Sequence, residues 1–599
     1  MDESSILCRE PFQISHSIEI ESRPMKRAHS LALLFSVAAS LNAQTPARAQ
    51  QRPAKQNPFT VVEATIPEMQ AALSQGRVTS RQIVTEYLLR IARYNRGLNA
   101  VITVNPNALN EADARDRERA HGKVRGPLHG IPIALKDNMQ TMDMPTTGGA
   151  LAFDGLIPPY EATLTKNLRE AGAIILAKTT MTELANWVAG GPTPMVGGYN
   201  GLIGFSMNPY DPRRDPRPDT FDGRPVLLVA GSSSGVGTAA NFWAANVGSE
   251  TSGSILSPSN QTMLVGIKPT VGRISRHGII PITADQDTAG PMAKSVTDAA
   301  ILLGALESAA PDPDDPATQT CALPPGRDYR KFLKRYALKG ARIGIPRAFY
   351  YDPVTAPGET KPRDSLNPDQ KKVMDEAISV IKRNGAVIVD PADIPSIVSP
   401  DPQNNLLKWN TCSGQENAKG KDADCSVVFK YGMKRDFNKW LASLGAAAPV
   451  KSLTDLREFN LAHAKASAIK YGQSQLDISD EMDLDADRAR YESDREKDVR
   501  LAGAEGIDAA LKKYNLDALL FPGSTVASIA AKPGYPTVIV PFGKIPNAPA
   551  VPFPPGFDAK PAPYGVSFTG TACSEPRLIE LAYSFEQATK RRVPPPSFP

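Results

Sequence analysis

Residues 231–258 read GSSSGVGTAANFWAANVGSETSGSILSP, and the chain is organised around them. Glycines at 231 and 235 flank the first serines, and Gly253 precedes Ser254. Without a Cβ, glycine admits the tight or left-handed backbone that exposes a neighbouring hydroxyl. From Val236 to Val247 the residues are mostly small, around one aromatic pair, Phe242 and Trp243. That composition predicts a helix packed closely against a sheet. A Ser/Gly-rich turn entering a helix also gathers unpaired backbone N–H groups, which can hold an anion or a developing oxyanion. Two serine-bearing turns on either side of such a helix could bring Ser233 and Ser254 within reach of each other, which is half of an acyl-transfer site.

GSSSG alone admits other readings. As a plain turn it carries no chemistry. It also fits the G-x-S-x-G nucleophile elbow, which would make Ser233 the nucleophile, with an acid and then a histidine downstream. A phosphate loop is disfavoured because no Gly-Lys-Ser/Thr follows. The six histidines stand at 16, 29, 121, 129, 277 and 463. Of those after Ser233, His277 follows too closely for the usual late position, and His463 reads as mid-helix in LAHAKASAIKYG. A lysine held neutral can act as the base instead. Lys136, in HGIPIALKDNM, is the candidate, because the apolar run Ile131 to Leu135 is short enough to be a buried strand with Lys136 at its end. Lowering a lysine from about 10.4 towards 7 takes roughly 4–5 kcal/mol of differential desolvation and neighbouring field. The competing reading is a surface lysine paired with Asp137.

GIPIALKDNM, AGSSSGVG, GSETSGSILSPSN and VGIKPTVGRISRHGIIPITADQDTAGPMAKSVTDAA follow one another in order. Together they resemble the amidase signature family. Further matches, TIPEMQAALSQGRVTSRQIVTEYLLRI and YGVSFTGTACSEPRLIELAYSFEQATKRR, extend the resemblance over residues 60–595. It implies a single α/β domain with a central mixed β-sheet sandwiched between α-helices. It also implies a Ser-cisSer-Lys triad, with Ser254 as nucleophile, Ser233 as the bridging serine and Lys136 as the base. Backbone N–H groups of Thr251, Ser252 and Gly253 would form the oxyanion hole, and no metal or cofactor is called for. The sequence departs from the family pattern in a Ser233 to Ser254 interval a few residues shorter, in Glu250 where many relatives carry Asp, and in Ser252 for a common Gly. The shortening should trim the intervening helix or the turn after it.

The implied function is an amidohydrolase that cleaves linear carboxamide C–N bonds through an acyl-enzyme. A carbamate or ester hydrolase with the same triad, a glutamine-hydrolysing amidotransferase subunit and a binding protein on an inactive amidase scaffold are the alternatives. The expected partner is a small-molecule amide, and a homodimer is open to the chain.

The chain has 599 residues, 41% hydrophobic and 22% charged, with a formal net charge of +5. This is ordinary for a protein with a large core. The charge is spread along the chain, so no basic cluster suggests nucleic acid. From Met25, MKRAHSLALLFSVAASLNAQTPARAQ shows a basic start, an apolar run from Leu31 to Leu41 and an Ala47-Arg48-Ala49 site, the order of a secretory signal peptide. Residues 25–49 are read as that signal, residues 1–24 as an over-extended start, and the product as exported, periplasmic or secreted. The apolar run is too short for a stable membrane anchor. In an oxidising compartment the cysteines can pair, and Cys412 and Cys425 bracket a polar loop that a bridge can close. A metal reading of that loop fails for want of a CxxC or a nearby histidine.

Thr65 to Glu68 and Thr79 to Gln82 are capping-box patterns opening helices. Ile83, Tyr87 and Ile91 then recur every four residues. A helix ending at Gly172 before the strand Ala173 to Ala177 makes an αβ unit, and GARIGIPRAFYY, a helix from Asp369 to Asn384 and AVIVD make another. Residues 207–226, with five prolines, and the proline-rich NAPAVPFPPGFDAKPAP are expected to be loops near the substrate entrance. Residues 427–515 read as largely helical, and LDALLFPG and PTVIVPFG as strands returning to the core.

Overall fold

A computed structural model describes residues 59–598, apart from 221, 230–233 and 364. The proposed leader therefore lies outside the described residues, as does Ser233.

The first helices begin where their caps place them. In α1 (Ile66–Ser74) and α2 (Ser80–Leu98) the N-cap threonine accepts from the N3 backbone while the N3 side chain reaches back, giving both capping boxes. The stripe Ile83, Tyr87 and Ile91 of α2 is buried. The edge strand β1 (Val101–Val104), α3 (Ala108–Ala120) and β2 (Pro132–Lys136) come next, then α4 (Thr163–Glu170) and β3 (Ile174–Thr179). Every residue of β2 and β3 is buried, as parallel strands covered on both faces require. A two-strand hairpin, β4 (Tyr199–Asn200) and β5 (Gly204–Phe205), precedes α5 (Gly235–Ala239), β6 (Ala245–Glu250) and α6 (Leu256–Gln261). After these stand β7 (Val265–Lys268), β8 (Thr288–Ala293) and the almost wholly buried α7 (Val296–Leu306). Then β9 (Arg342–Gly344), α8 (Pro368–Arg383) and β10 (Val387–Val389) form the second βαβ unit, with β9 and β10 parallel as expected.

The short strands β11 (Asn410–Thr411) and β12 (Cys425–Ser426) lead into a helical block of α9 (Val428–Ser443), α10 (Leu453–Ala462), α11 (Ser474–Asp480), α12 (Arg488–Val499) and α13 (Asp508–Tyr514). The chain closes with β13 (Ala518–Pro522), α14 (Ala527–Ala531), β14 (Thr537–Ile545), β15 (Ala562–Thr569) and α15 (Glu575–Thr589).

One mixed sheet of 11 strands runs through the molecule in the order β1-β3-β2-β6-β8-β7-β14-β15-β13-β9-β10. Its flanks are parallel, at β3-β2-β6 and at β13-β9-β10, and its middle is antiparallel. Helices cover both faces, which is the sandwich architecture expected from the sequence. Among the described residues no helix is long and apolar enough to cross a membrane. Each fully buried Leu or Phe of the inner strands, such as Leu519, Leu520 and Phe521, contributes roughly 1.5–3 kcal/mol.

Two disulfides tie this frame. Cys412–Cys425 closes the polar loop, as its bracketing suggested, and Cys321–Cys573 joins the proline-rich 307–326 segment to the turn before α15. Loop-closure entropy makes the longer link the stronger one. Removing the Cys321–Cys573 pair is expected to cost about 5 kcal/mol and removing Cys412–Cys425 about 3 kcal/mol. Denaturant midpoints of the paired Cys→Ala variants check this, and an unmoved midpoint for either pair would mean that its bond does not form.

The two proline-rich loops are locked to each other. Along residues 207–226 each of Arg213, Arg217 and Arg224 forks onto the aspartate two residues before it. Arg213 and Arg217 also lie over the rings of Phe557 and Phe553 at 4.4 and 4.9 Å. Their guanidinium groups donate to the carbonyls of Asp558 and Val551.

Candidate active site

The apolar strand β2 delivers Lys136 with no exposed surface. Because β2 pairs in parallel with β6, through Ile133 with Ala245 and Leu135 with Val247, its end lies beside the end of β6. There Lys136 Nζ donates to Ser249 Oγ at 2.9 Å and to the Ser249 carbonyl at 3.2 Å. Asn138 Nδ2 donates to the same hydroxyl at 2.9 Å. Burial lowers the Lys136 amine to about 7, against the opposing pull of Asp287 and Glu250. Asp137 does not neutralise it. That carboxylate instead pairs with the buried Lys178 at 3.1 Å and accepts the Thr147 N–H at 3.0 Å. The surface reading of Lys136 is therefore set aside.

Beyond β6 the backbone turns at Gly253, whose φ of +97° is one that a side chain rarely tolerates. Ser254 is next, 7% exposed, and α6 begins at Leu256. Glu250 Oε2 accepts the N–H groups of Ile255 and Leu256 at 2.7 and 2.9 Å, so the carboxylate occupies the first donors of α6. Among the described residues, the N–H groups of Thr251, Ser252 and Gly253 have no hydrogen-bond partner, and neither does the Ser254 hydroxyl. A turn of free donors thus surrounds a free hydroxyl.

On the other side, Ser234 is buried with its hydroxyl 3.5 Å from Met292 Sδ. The continuous helix expected across Val236 to Val247 does not form. α5 stops at Ala239, the chain reverses at Asn241 (φ +58°), and β6 starts at Ala245. A close approach forces this path. A Cβ at Gly237 would lie 2.1 Å from the Trp243 ring, and Trp243 Nε1 donates to Thr238 Oγ1 at 2.7 Å. Arginines satisfy the carbonyls left at the end of α5. Arg90 donates to the Ala240 carbonyl at 3.1 Å and to that of Asn241 at 2.8 Å, and Arg592 donates to that of Ala239 at 3.4 Å.

A cleft of about 260 Å³ reaches this end of the sheet. Asn138, Ser249, Thr251 and Asp287 are polar groups in its wall, and Ile280, Ile282, Tyr160 and Trp440 give it apolar surface. Among the described residues neither proline-rich loop lines it, contrary to expectation. Instead, Tyr210 of the first loop and Leu227 just after it pack with Ala239, Ile255 and Met292, next to the Ser254 turn.

His277 does line the cleft, with its ring stacked on Tyr160 at 4.8 Å. His463 is not mid-helix but exposed at the end of α10. Sequence reasoning missed Ser249, Asn138 and Asp287. Only the register of β6 against its neighbours could have found them. Among the described residues one cluster has metal-ligand chemistry, Cys412, Asp422 and Cys425, and its sulfurs are joined to each other.

The family model described as Amidase matches residues 82–579. The crystal structure of native peptide amidase from Stenotrophomonas maltophilia is 36% identical, covers 90% of this chain and 99% of that one, and superposes with a TM-score of 0.74. A probable amidase of Arabidopsis thaliana is 34% identical over 549 residues, 90% of this chain and 92% of the relative. Glutamyl-tRNA(Gln) amidotransferase chains are similar too, one from Synechococcus being 28% identical over 537 residues, 87% of this chain and 96% of the relative.

Proposed function

Since the chain belongs to the amidase family and acts on carboxamide C–N bonds, we propose that Ser254 is its nucleophile, Lys136 its base and Ser233 the bridge between them. The observation that carries this is the buried amine of Lys136, lowered to about 7 and held at the end of the strand pair that opens into the Ser254 turn. Neutral Lys136 accepts the Ser254 proton through Ser233 as Ser254 Oγ attacks the amide carbonyl. The N–H groups of Thr251, Ser252 and Gly253 take the oxyanion. Collapse breaks the C–N bond, and the same relay returns the proton to the departing amine. Water then attacks the Ser254 ester, giving the acid and the free serine.

The substrate we assign is a linear carboxamide on an extended acyl group, such as a peptide amide. The apolar walls of the cleft and the likeness to a peptide amidase support it. A hydrolysis screen over primary amides, anilides, peptide amides and carbamates tests this. Peptide or primary amides should lead, and release of acid from carbamates alone would overturn it.

Residues 25–49 we assign as a cleaved export signal, a reading that the two disulfides support. N-terminal sequencing of mature protein should start after Ala49. Retention of residues before Leu41 would contradict it.

A further inference from the structure

The last ladder pair of β6 and β8 is Glu250 with Thr288. One step further along the same antiparallel register, Thr251 faces Asp287. The two are joined, since the Thr251 hydroxyl donates to Asp287 Oδ1. The other carboxylate oxygen accepts the Ile282 N–H at 2.9 Å, so the acid is fixed at both ends. Its neighbour Gln286 donates from Nε2 to the Thr251 carbonyl at 3.3 Å. Thr251 is thus gripped by its side chain and by its peptide oxygen. Its own N–H is left free among the described residues, and so are those of the next two residues.

We propose that Asp287 is a positioning residue, which with Gln286 clamps Thr251 so that the N–H groups of residues 251–253 point at the developing oxyanion. This rests on the reading of Ser254 given above. Free donors in a turn gain catalytic value only when their directions are fixed before the reaction, because the transition state then costs no reorganisation. Gly253 gives the turn its conformation but also its freedom, and the clamp removes that freedom one residue before the exposed Ser252. Asp287 and Thr251 both line the cleft, so the clamp borders the space open to a substrate.

The same carboxylate acts on Lys136 through space. Burial raises Asp287 to about 7, and its negative form favours the charged form of Lys136. Glu250 from β6 acts in the same sense on the lysine. Across the cleft Arg276 faces Asp287 but is forked onto Asp315, and Asp436 of α9 is paired with Arg435. His277, Asp314 and Lys439 also line the cleft; His277 is half-buried against Tyr160, and Asp314 and Lys439 are exposed, so that solvent screens them. Removing the Asp287 charge therefore makes Lys136 easier to deprotonate.

The test uses the whole chain. Asp287→Asn keeps an acceptor for Thr251 but loses the charge. It is expected to lower kcat on the order of a hundredfold, the cost of a misaimed site, with KM little changed. It should also move the rise of activity with pH towards acid by about one unit. Thr251→Val should lose kcat without that acid shift, and Thr251→Ser should recover most of what Thr251→Val loses. The rate at which a serine-reactive phosphonate labels Ser254 gives a readout without an amide substrate, and it should fall in Asp287→Asn and Thr251→Val. Unchanged labelling and an unmoved pH profile in Asp287→Asn would overturn the clamp, as would equal activity of the two Thr251 variants. If Asp287→Asn does not fold, the Thr251 pair decides. Absence of label on Ser254 in the unaltered protein overturns the reading of Ser254 itself and the clamp with it.

Discussion

Ser254→Ala is expected to lower kcat by roughly 10⁴- to 10⁶-fold while the protein stays folded. In the proposed mechanism the hydroxyl is the atom that forms and releases the acyl bond, so no residual positioning can stand in for it. Neighbouring hydroxyls are no substitute. Ser252 points from an exposed position, and Ser257 lies inside α6 with its Oγ 3.2 Å from Ser524 Oγ. Folding should survive because no described group depends on the Ser254 hydroxyl, and its loss orphans no buried partner among them. Circular dichroism and thermal unfolding of the variant separate loss of chemistry from loss of structure. Mass spectrometry after phosphonate treatment identifies the labelled serine. Label on Ser233 would exchange the roles of the two serines and restore the nucleophile-elbow reading.

Lys136→Ala should cost kcat about a hundredfold to ten-thousandfold, the usual weight of a general base. The sign of the pH dependence comes from the charge. Only the unprotonated amine can take the relayed proton, and burial brings the amine to about 7, so activity in the unaltered protein should rise through that pH. In Lys136→Ala the rise should vanish along with the rate. Affinity should change less than kcat, because the lysine is spent on Ser249 and on protons and not on holding the acyl group. Ser233→Ala interrupts the same relay, so the double variant should be little worse than the poorer single one. Measuring kcat and KM for both singles and the double over roughly pH 6–10 tests these points together. Full additivity, or normal kcat in Lys136→Ala, would place the base elsewhere, and His277 in the cleft wall would be the first residue to replace.

Local chemistry was readable. The threonine caps of α1 and α2 and the apolar run ending at Lys136 depend on residues a few positions apart, and the pairing of β9 with β10 follows from one strand-helix-strand unit. The path from Ser234 to β6 was not, because its alanine-rich composition favours helix while a distant fact decides. The Trp243 ring folds back onto Gly237, and arginines from α2 and from beyond α15 complete the broken end. Tertiary contact overrides propensity there. Cys321 and Cys573 are 252 residues apart, and nothing in either neighbourhood announces the other. Asp287 reads as one of two acids in TADQDTAGP, and it acquires meaning only from the register of β6 on β8.

The order of the strands bears on how the protein is made. Ribosomes deliver β1, β2, β3, β6, β7 and β8 first, and with them both Lys136 and Ser254. Strands β9, β10 and β13 come later and pair among themselves, but they meet the earlier group only through β14 and β15, residues 537–569. Arg592, which closes the end of α5, emerges later still. A growing chain therefore carries the residues proposed for the chemistry long before it owns the strands that join the two halves of the sheet. A stop codon between β13 and β15 yields two unjoined half-sheets with bare edges, prey for proteases and not a smaller enzyme.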